Sequence, residues 1–199
     1  CEQNKDTNMA NKDAAFGFRP TRHLTGGQIR AEEFAIANDY SGSIYTGQVV
    51  EAVAAGGIEA AAAGDTQQLG VFGGVFYTDP TTSKPTWKAY YSQVAAADIV
   101  ATVYADPYIV FEAQHDSDGG TAGTSAMNHS AFDFVGVGGS TTTGQSTSEI
   151  DTSTSGTSGG FKQIGISKDP DNSDKSSANA NAYVVFNTGE HVFKLTTGV

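Results

Sequence analysis

The chain has 199 residues and a formal net charge of -11, which argues against nucleic-acid binding because affinity for phosphate backbones comes mainly from Lys and Arg. Its single cysteine excludes an intrachain disulfide, and no His/Cys cluster has the spacing of zinc ligands, so we predict no metal site and no cofactor. No apolar run approaches the roughly 18 residues that cross a bilayer, so no membrane span is predicted.

The first residues, Cys1 to Asn8, form a polar stretch directly before Met9. The codons for Lys5 and Asp6 can read like a ribosome-binding site, which favours synthesis from Met9 and makes residues 1–8 foreign to the protein. Two alternatives stay open. Cys1 carries the lipid of a mature lipoprotein, or the stretch is a plain polar tail.

The next segment, Asn11 to Gln28, contains too many Gly and Pro residues for a helix, so we predict that residues 1–28 form an extended arm. Such an arm can lie across a neighbouring molecule. Alternatively, its two aromatic side chains cover the edge of the chain's own core. The aromatic and basic side chains of the arm, the densest positive cluster in this acidic chain, are Phe16, Phe18, Arg19, Arg22 and His23.

From Ile29 onward, short apolar runs alternate with Gly, Asp, Asn and Pro, which is typical of strands separated by turns. Short strands at this spacing predict a β-barrel or sandwich over residues 29–113. The adjacent Gly73 and Gly74 predict a bulge or a close backbone approach. The predicted strands are Ile29 to Ala37, Ser43 to Ala52, Gly57 to Ala62, Gly70 to Thr78, Thr86 to Gln93, Val100 to Ala105 and Tyr108 to Ala113.

A shift toward Gly, Ser and Thr between Asp116 and Gly160 predicts a second, loop-rich β lobe over residues 114–199. Its core would be small, so we expect it to pack on the first domain or on another subunit. The fold class predicted overall is mainly β. The strands predicted for the second lobe are Ala131 to Gly138, Ser148 to Thr152, Phe161 to Ser167 and Ala182 to Asn187.

No pattern typical of an enzyme is present, and we predict that the chain is not one. The histidines occur singly, and there is no Gly-x-Ser-x-Gly turn to present a nucleophile. Two acidic loops, Asp116 to Gly120 and Asp169 to Asp174, resemble the opening of a calcium loop. The first lacks the later carboxylate, and a turn around Pro170 explains the second, so both are interpreted as solvated loops.

Several stretches of the sequence carry a resemblance to a known group of proteins. They are Met9 to Pro20 (MANKDAAFGFRP) with His23 to Gly27, Gly47 to Ala52 with Leu69 to Tyr77, and Gln163 to Asn172 with Val184 to Asn187 and His191. The first is similar to the start of structural proteins from marine tailed bacteriophages. The others resemble the head decoration and cement proteins of such phages.

The resemblance implies a structural virion protein on the outer surface of the capsid, which forms a homotrimer and bridges subunits of the major capsid protein. The arm is then the candidate capsid contact, through Phe16, Phe18, Arg19, Arg22 and His23. Deleting residues up to Gln28 is expected to abolish particle binding and leave the β domain folded. The alternatives are another virion component (tail tube, fibre or head completion) and a surface lipoprotein or carbohydrate-binding β module.

Overall fold

Short antiparallel strands make up most of the regular structure of this protein. The structure, a computed structural model, describes residues 10–37, 40–116, 127–174 and 177–195. This part of the chain contains no α-helix, and a 3₁₀ turn lies at Val192–Lys194. The prediction of a mainly β fold is confirmed. No sheet closes into a barrel among these residues, which is consistent with the sandwich alternative.

The strands end where Gly, Pro, Asp and Asn interrupt the apolar alternation, as the sequence pattern predicts. In chain order they are β1 Arg19–His23, β2 Glu32–Phe34, β3 Ser43–Tyr45, β4 Val49–Ala52, β5 Ile58–Ala60, β6 Gln68–Thr78, β7 Pro85–Lys88, β8 Tyr90–Ser92, β9 Val100–Tyr104, β10 Ile109–Gln114, β11 Ala131–Val135, β12 Glu149–Gly156, β13 Phe161–Ile166 and β14 Asn181–Phe186.

Two large sheets organise the fold. Sheet I has the strand order β1-β10-β14-β13-β11-β12, and sheet II has the order β2-β9-β6-β4-β5, with β7 beside the second half of β6. A third, two-stranded sheet pairs β3 with β8. Sheet I therefore combines strands from the predicted arm, the predicted first domain and the predicted second lobe.

The core lies on both faces of sheet II. One apolar cluster fills the space between sheets I and II and contains phenylalanines of sheet I together with Val49 and Val71 of sheet II. A second cluster covers the opposite face of sheet II and includes Phe72, with Ile44 and Tyr91 from the two-stranded sheet. Because β6 is buried on both faces, its sequence is nearly continuously apolar rather than alternating.

In each large sheet, one isolated parallel bridge links two segments that are not neighbours in the strand order, and we call each such junction a seam. In sheet II, Ile36 after β2 forms a parallel bridge with Ile58 of β5, which we call the apolar seam. In sheet I, His115 after β10 forms a parallel bridge with Ile150 of β12, and Asp116 N–H donates to the Ile150 carbonyl at 3.0 Å. We call this second junction, with its side chains His115 and Asp116, the polar seam.

The glycine pair in β6 behaves as predicted. The register between β6 and β9 shifts between Phe72 and Gly74, so Gly73 is the extra residue of a β-bulge. The bulge turns the following residues of β6, and Phe76 comes to lie on the outer surface, 45% exposed.

Candidate binding surface

The arm predicted from the sequence is partly a strand. Residues 19–23 form β1, which pairs on one side with β10 and lies at the border of sheet I. The register shifts between Pro20 and Arg22, and the Thr21 hydroxyl donates to the Val110 carbonyl at 2.9 Å. An edge strand with a proline and a bulge is a poor template for pairing with another strand. Its side chains are therefore the groups available for contact.

Phe18 anchors this segment in the chain's own core. It is 1% exposed, and its ring stacks on Phe161 with centroids 4.3 Å apart. Its N–H donates to the Gly47 carbonyl at 2.8 Å. Gly17, at φ 73°, crosses Gly47 so closely that a Cβ there would lie 2.7 Å from the Gly47 oxygen. Phe18 is thus a core residue, as the alternative reading of the arm expects, and cannot contact a partner while β1 is in place.

Arg19 and Arg22 are exposed on β1. The Arg19 guanidinium lies 4.4 Å from the centroid of the half-buried Phe16 ring, a cation–π arrangement that orders both side chains. The Phe16 carbonyl accepts a hydrogen bond from the Gln145 side chain at 3.0 Å. The structure therefore brings Phe16, Arg19 and Arg22 to one border of sheet I.

His23 holds the turn that follows β1. Its side chain is 10% exposed, and Nε2 lies 3.0 Å from the Asp106 carboxylate. Nδ1 accepts hydrogen bonds from the Thr25 N–H at 3.3 Å and the Gly27 N–H at 3.2 Å, which places the ring proton on Nε2. Burial raises the pKa of Asp106, but hydrogen bonds from Tyr108 and His23 outweigh it and lower that pKa overall. His23 therefore stabilises the turn that follows β1.

The other histidines lie apart from this border. His115 and His191 are fully buried, and His129 is exposed in a turn at φ 73°. Within the ranges given above, no group of three His, Cys, Asp or Glu residues has a geometry that could hold a metal ion. The same residues include no helix long and apolar enough to cross a membrane.

The two acidic loops have different outcomes. Residues 117–120 of the first loop lie outside the described residues. In the second loop, the Asp169 carboxylate accepts the Asp171 N–H at 3.1 Å, and the Asp169 carbonyl accepts the Asn172 N–H at 3.1 Å. The first is the hydrogen bond of an Asx turn and the second that of a β-turn.

Sequence reasoning missed a set of exposed apolar side chains on the other sheet. Trp87 is 61% exposed and lies directly opposite Phe76, on β7 and β6. The available signal was the alternation in Thr86-Trp87-Lys88, which placed Trp87 on one face of a strand and left open which face was covered.

Comparison of the chain with protein-family models, with curated proteins and with solved structures found no match.

Proposed function

We propose that this chain is a structural virion protein that binds the outside of a tailed-phage capsid and bridges its major capsid subunits. The observation that supports this most is the exposed basic border of β1, where Arg19 and Arg22 stand on a strand fixed by the buried Phe18. Because the strand is already ordered, binding costs little conformational entropy.

The charge of this border selects the kind of partner. Arg19 and Arg22 are two of only 11 basic residues in a chain with 22 acidic ones. A guanidinium group binds carboxylates through paired, directional hydrogen bonds. The partner surface is therefore acidic, and the major capsid protein supplies it in this proposal.

Multivalency makes such a contact sufficient. A single exposed Arg–carboxylate pair contributes about 1 kcal/mol or less. In a homotrimer seated on a repeating lattice, three copies of the border engage together, and the effective local concentration raises the avidity by about 10² or more. The role is structural and requires no catalytic group.

Charge reversal on the border tests the proposal. The double variant Arg19→Glu and Arg22→Glu is mixed with undecorated capsids, and the bound fraction is measured by co-sedimentation. The matched control is Lys84→Glu with Lys168→Glu, two exposed lysines outside the border that give the same change in net charge. The proposal predicts loss of binding in the arginine variant and full binding in the control. Equal binding by both variants contradicts it.

Deletion of the arm does not test capsid binding alone, because it also removes contacts of the core. Removal of residues up to Gln28 takes away the fully buried Phe18 as well as β1, and Phe161 loses its stacking partner. We therefore expect the deletion to destabilise sheet I, contrary to the expectation from the sequence that the β domain stays folded.

A further inference from the structure

The face of sheet II that packs on sheet I at Val49 and Val71 carries exposed side chains farther along β6, β7 and β9. Ala101 and Val103 of β9 point into the second apolar cluster, so Val100 and Thr102 point to the opposite face. The strand registers place their partners on that same face: Glu33 beside Thr102, Thr102 beside Gly74, Val100 beside Phe76, and Phe76 beside Trp87. We call this the aromatic face: Glu33, Gly74, Phe76, Trp87, Val100 and Thr102.

Gly74 seats the indole ring of Trp87 on this face. A Cβ at Gly74 would lie 2.8 Å from Cζ2 and 2.9 Å from Nε1 of Trp87, so the ring lies directly on the glycine backbone. Gly74 also has φ 148°, which side chains other than glycine rarely adopt. The indole is therefore supported on one side, while the side chain remains 61% exposed.

The aromatic face carries few charged groups. Glu33 is exposed and is the only ionisable side chain among the six residues of the aromatic face. Lys88, the neighbour of Trp87, points to the opposite side and lies 5.8 Å from the ring centroids of Tyr77 and Tyr90. The face thus offers an aromatic surface, a hydroxyl and a hydrogen-bond-accepting carboxylate, with no cation.

We infer that the aromatic face binds a neutral β-1,4-linked chain of glucose or N-acetylglucosamine units. In such sugars the ring substituents are equatorial, so each pyranose presents a flat face of C–H groups that packs on an indole. Their hydroxyls donate hydrogen bonds to a carboxylate such as that of Glu33. An acidic polymer is disfavoured by Glu33 and by the net charge of -11. This site is separate from the basic border of β1.

Intrinsic fluorescence reads the site directly, because Trp87 is the only tryptophan in the chain. The full chain is titrated with cellohexaose and with chitohexaose. The inference predicts a saturable change in indole emission with at least one of them and no change with oligogalacturonate. If neither neutral hexamer changes the emission, the inference is wrong. It is equally wrong if the emission shifts with protein concentration alone, because the face then binds a second copy of the chain.

Variants separate stacking from hydrogen bonding, with affinity measured by calorimetry. Trp87→Ala is expected to weaken binding by about tenfold, and Glu33→Gln by roughly fivefold. The matched control is Phe193→Ala, which removes another ring, 58% exposed and outside the aromatic face. Full sugar binding by Trp87→Ala overturns the inference. Capsid binding by the Arg19→Glu and Arg22→Glu variant is a separate result, so either proposal can fail without the other.

Discussion

The two seams join their sheets with different chemistry. At the apolar seam, Ile58 is fully buried and Ile36 is 7% exposed, and the bridge is completed by backbone hydrogen bonds to Ala35 and Ala37. At the polar seam, His115 and Asp116 are as deeply buried, at 0% and 5% exposure. Equal burial therefore rests on dispersion and apolar transfer in one sheet. In the other sheet it rests on partly satisfied polar groups, since His115 Nδ1 and one oxygen of Asp116 have no hydrogen-bond partner among the described residues.

The polar seam depends on a directional network. His115 Nε2 lies 2.8 Å from the Gln163 side-chain oxygen, and the Gln163 amide donates to Asn128 at 3.0 Å. Because the Gln163 oxygen can only accept, His115 carries its proton on Nε2. Asp116 accepts hydrogen bonds from the Thr152 N–H at 3.0 Å and the Thr152 hydroxyl at 2.7 Å. The stability of the polar seam in sheet I can therefore change with pH, whereas that of the apolar seam in sheet II cannot.

The largest expected effect comes from breaking the apolar seam. Ile58→Ala leaves a cavity in the second cluster and should lower the free energy of unfolding by about 4 kcal/mol. Since the seam itself contains no titratable group, the loss should be the same at pH 5 and pH 7. Urea denaturation at both pH values measures it. A loss that differed between the two would show that the seams are not chemically distinct.

The next effect comes from the polar seam. Asp116→Ala removes the acceptor of two buried hydrogen bonds and should cost about 3 kcal/mol. Asp151→Ala is the matched control, because the Asp151 carboxylate makes equivalent hydrogen bonds to the Ser153 N–H and hydroxyl at an exposed position. Its cost should stay below about 1 kcal/mol. Similar losses in the two variants would mean that burial of the seam does not matter.

A smaller effect is the pH dependence of stability. Burial lowers the pKa of His115 below its ordinary value near 6.5 and lowers that of His191 to about 4. The unfolded chain therefore takes up protons first, so stability present above pH 6.5 is lost as the pH falls toward the folded pKa. For His191 alone the loss at pH 5 is about 2 kcal/mol.

Two carboxyl groups work in the opposite direction, because burial raises the pKa of both Glu51 and Glu190. Burial, and then the nearby Asp65, raise the pKa of Glu51 to about 7, so its contribution is present at low pH and lost as the pH rises through 7. The pH profile is therefore best measured by urea denaturation of the double variant Glu51→Gln and Glu190→Gln, in which neither raised carboxyl pKa remains. Stability that stayed constant between pH 7 and pH 5 in this variant would contradict the histidine prediction.

Strands with their own apolar pattern could be predicted closely from the sequence. Tyr108 to Ala113 and Ala182 to Asn187 were each displaced by one residue from β10 and β14. The predicted strand Ser43 to Ala52 is instead β3 and β4, because the chain turns at Gly47, with φ 87°, where Gly17 packs against it. That contact joins residues far apart in the chain, so no local pattern reveals it.

The candidate site was predictable only as a set of residues. The sequence showed that the aromatic and basic residues of the arm lie close together. It did not show which of them are buried in the core, which stabilise a turn and which are exposed. Phe18 turns inward because it meets Phe161, and His23 is held by Asp106, both supplied by distant segments. Arg19 and Arg22 are left outside by the pairing of β1 with β10. In the same way, no local pattern shows that Trp87 is left exposed.

The placement of β1 also sets an order for folding during synthesis. Phe18 needs Phe161, and the Asn11 side chain donates to the Ala178 carbonyl at 2.8 Å, across 167 residues of sequence. All the strands of sheet II are synthesised before β11. Sheet II can therefore assemble early, while the N-terminal segment waits for nearly the whole chain. Until then the segment is accessible to chaperones and proteases, and its docking is a late step of folding.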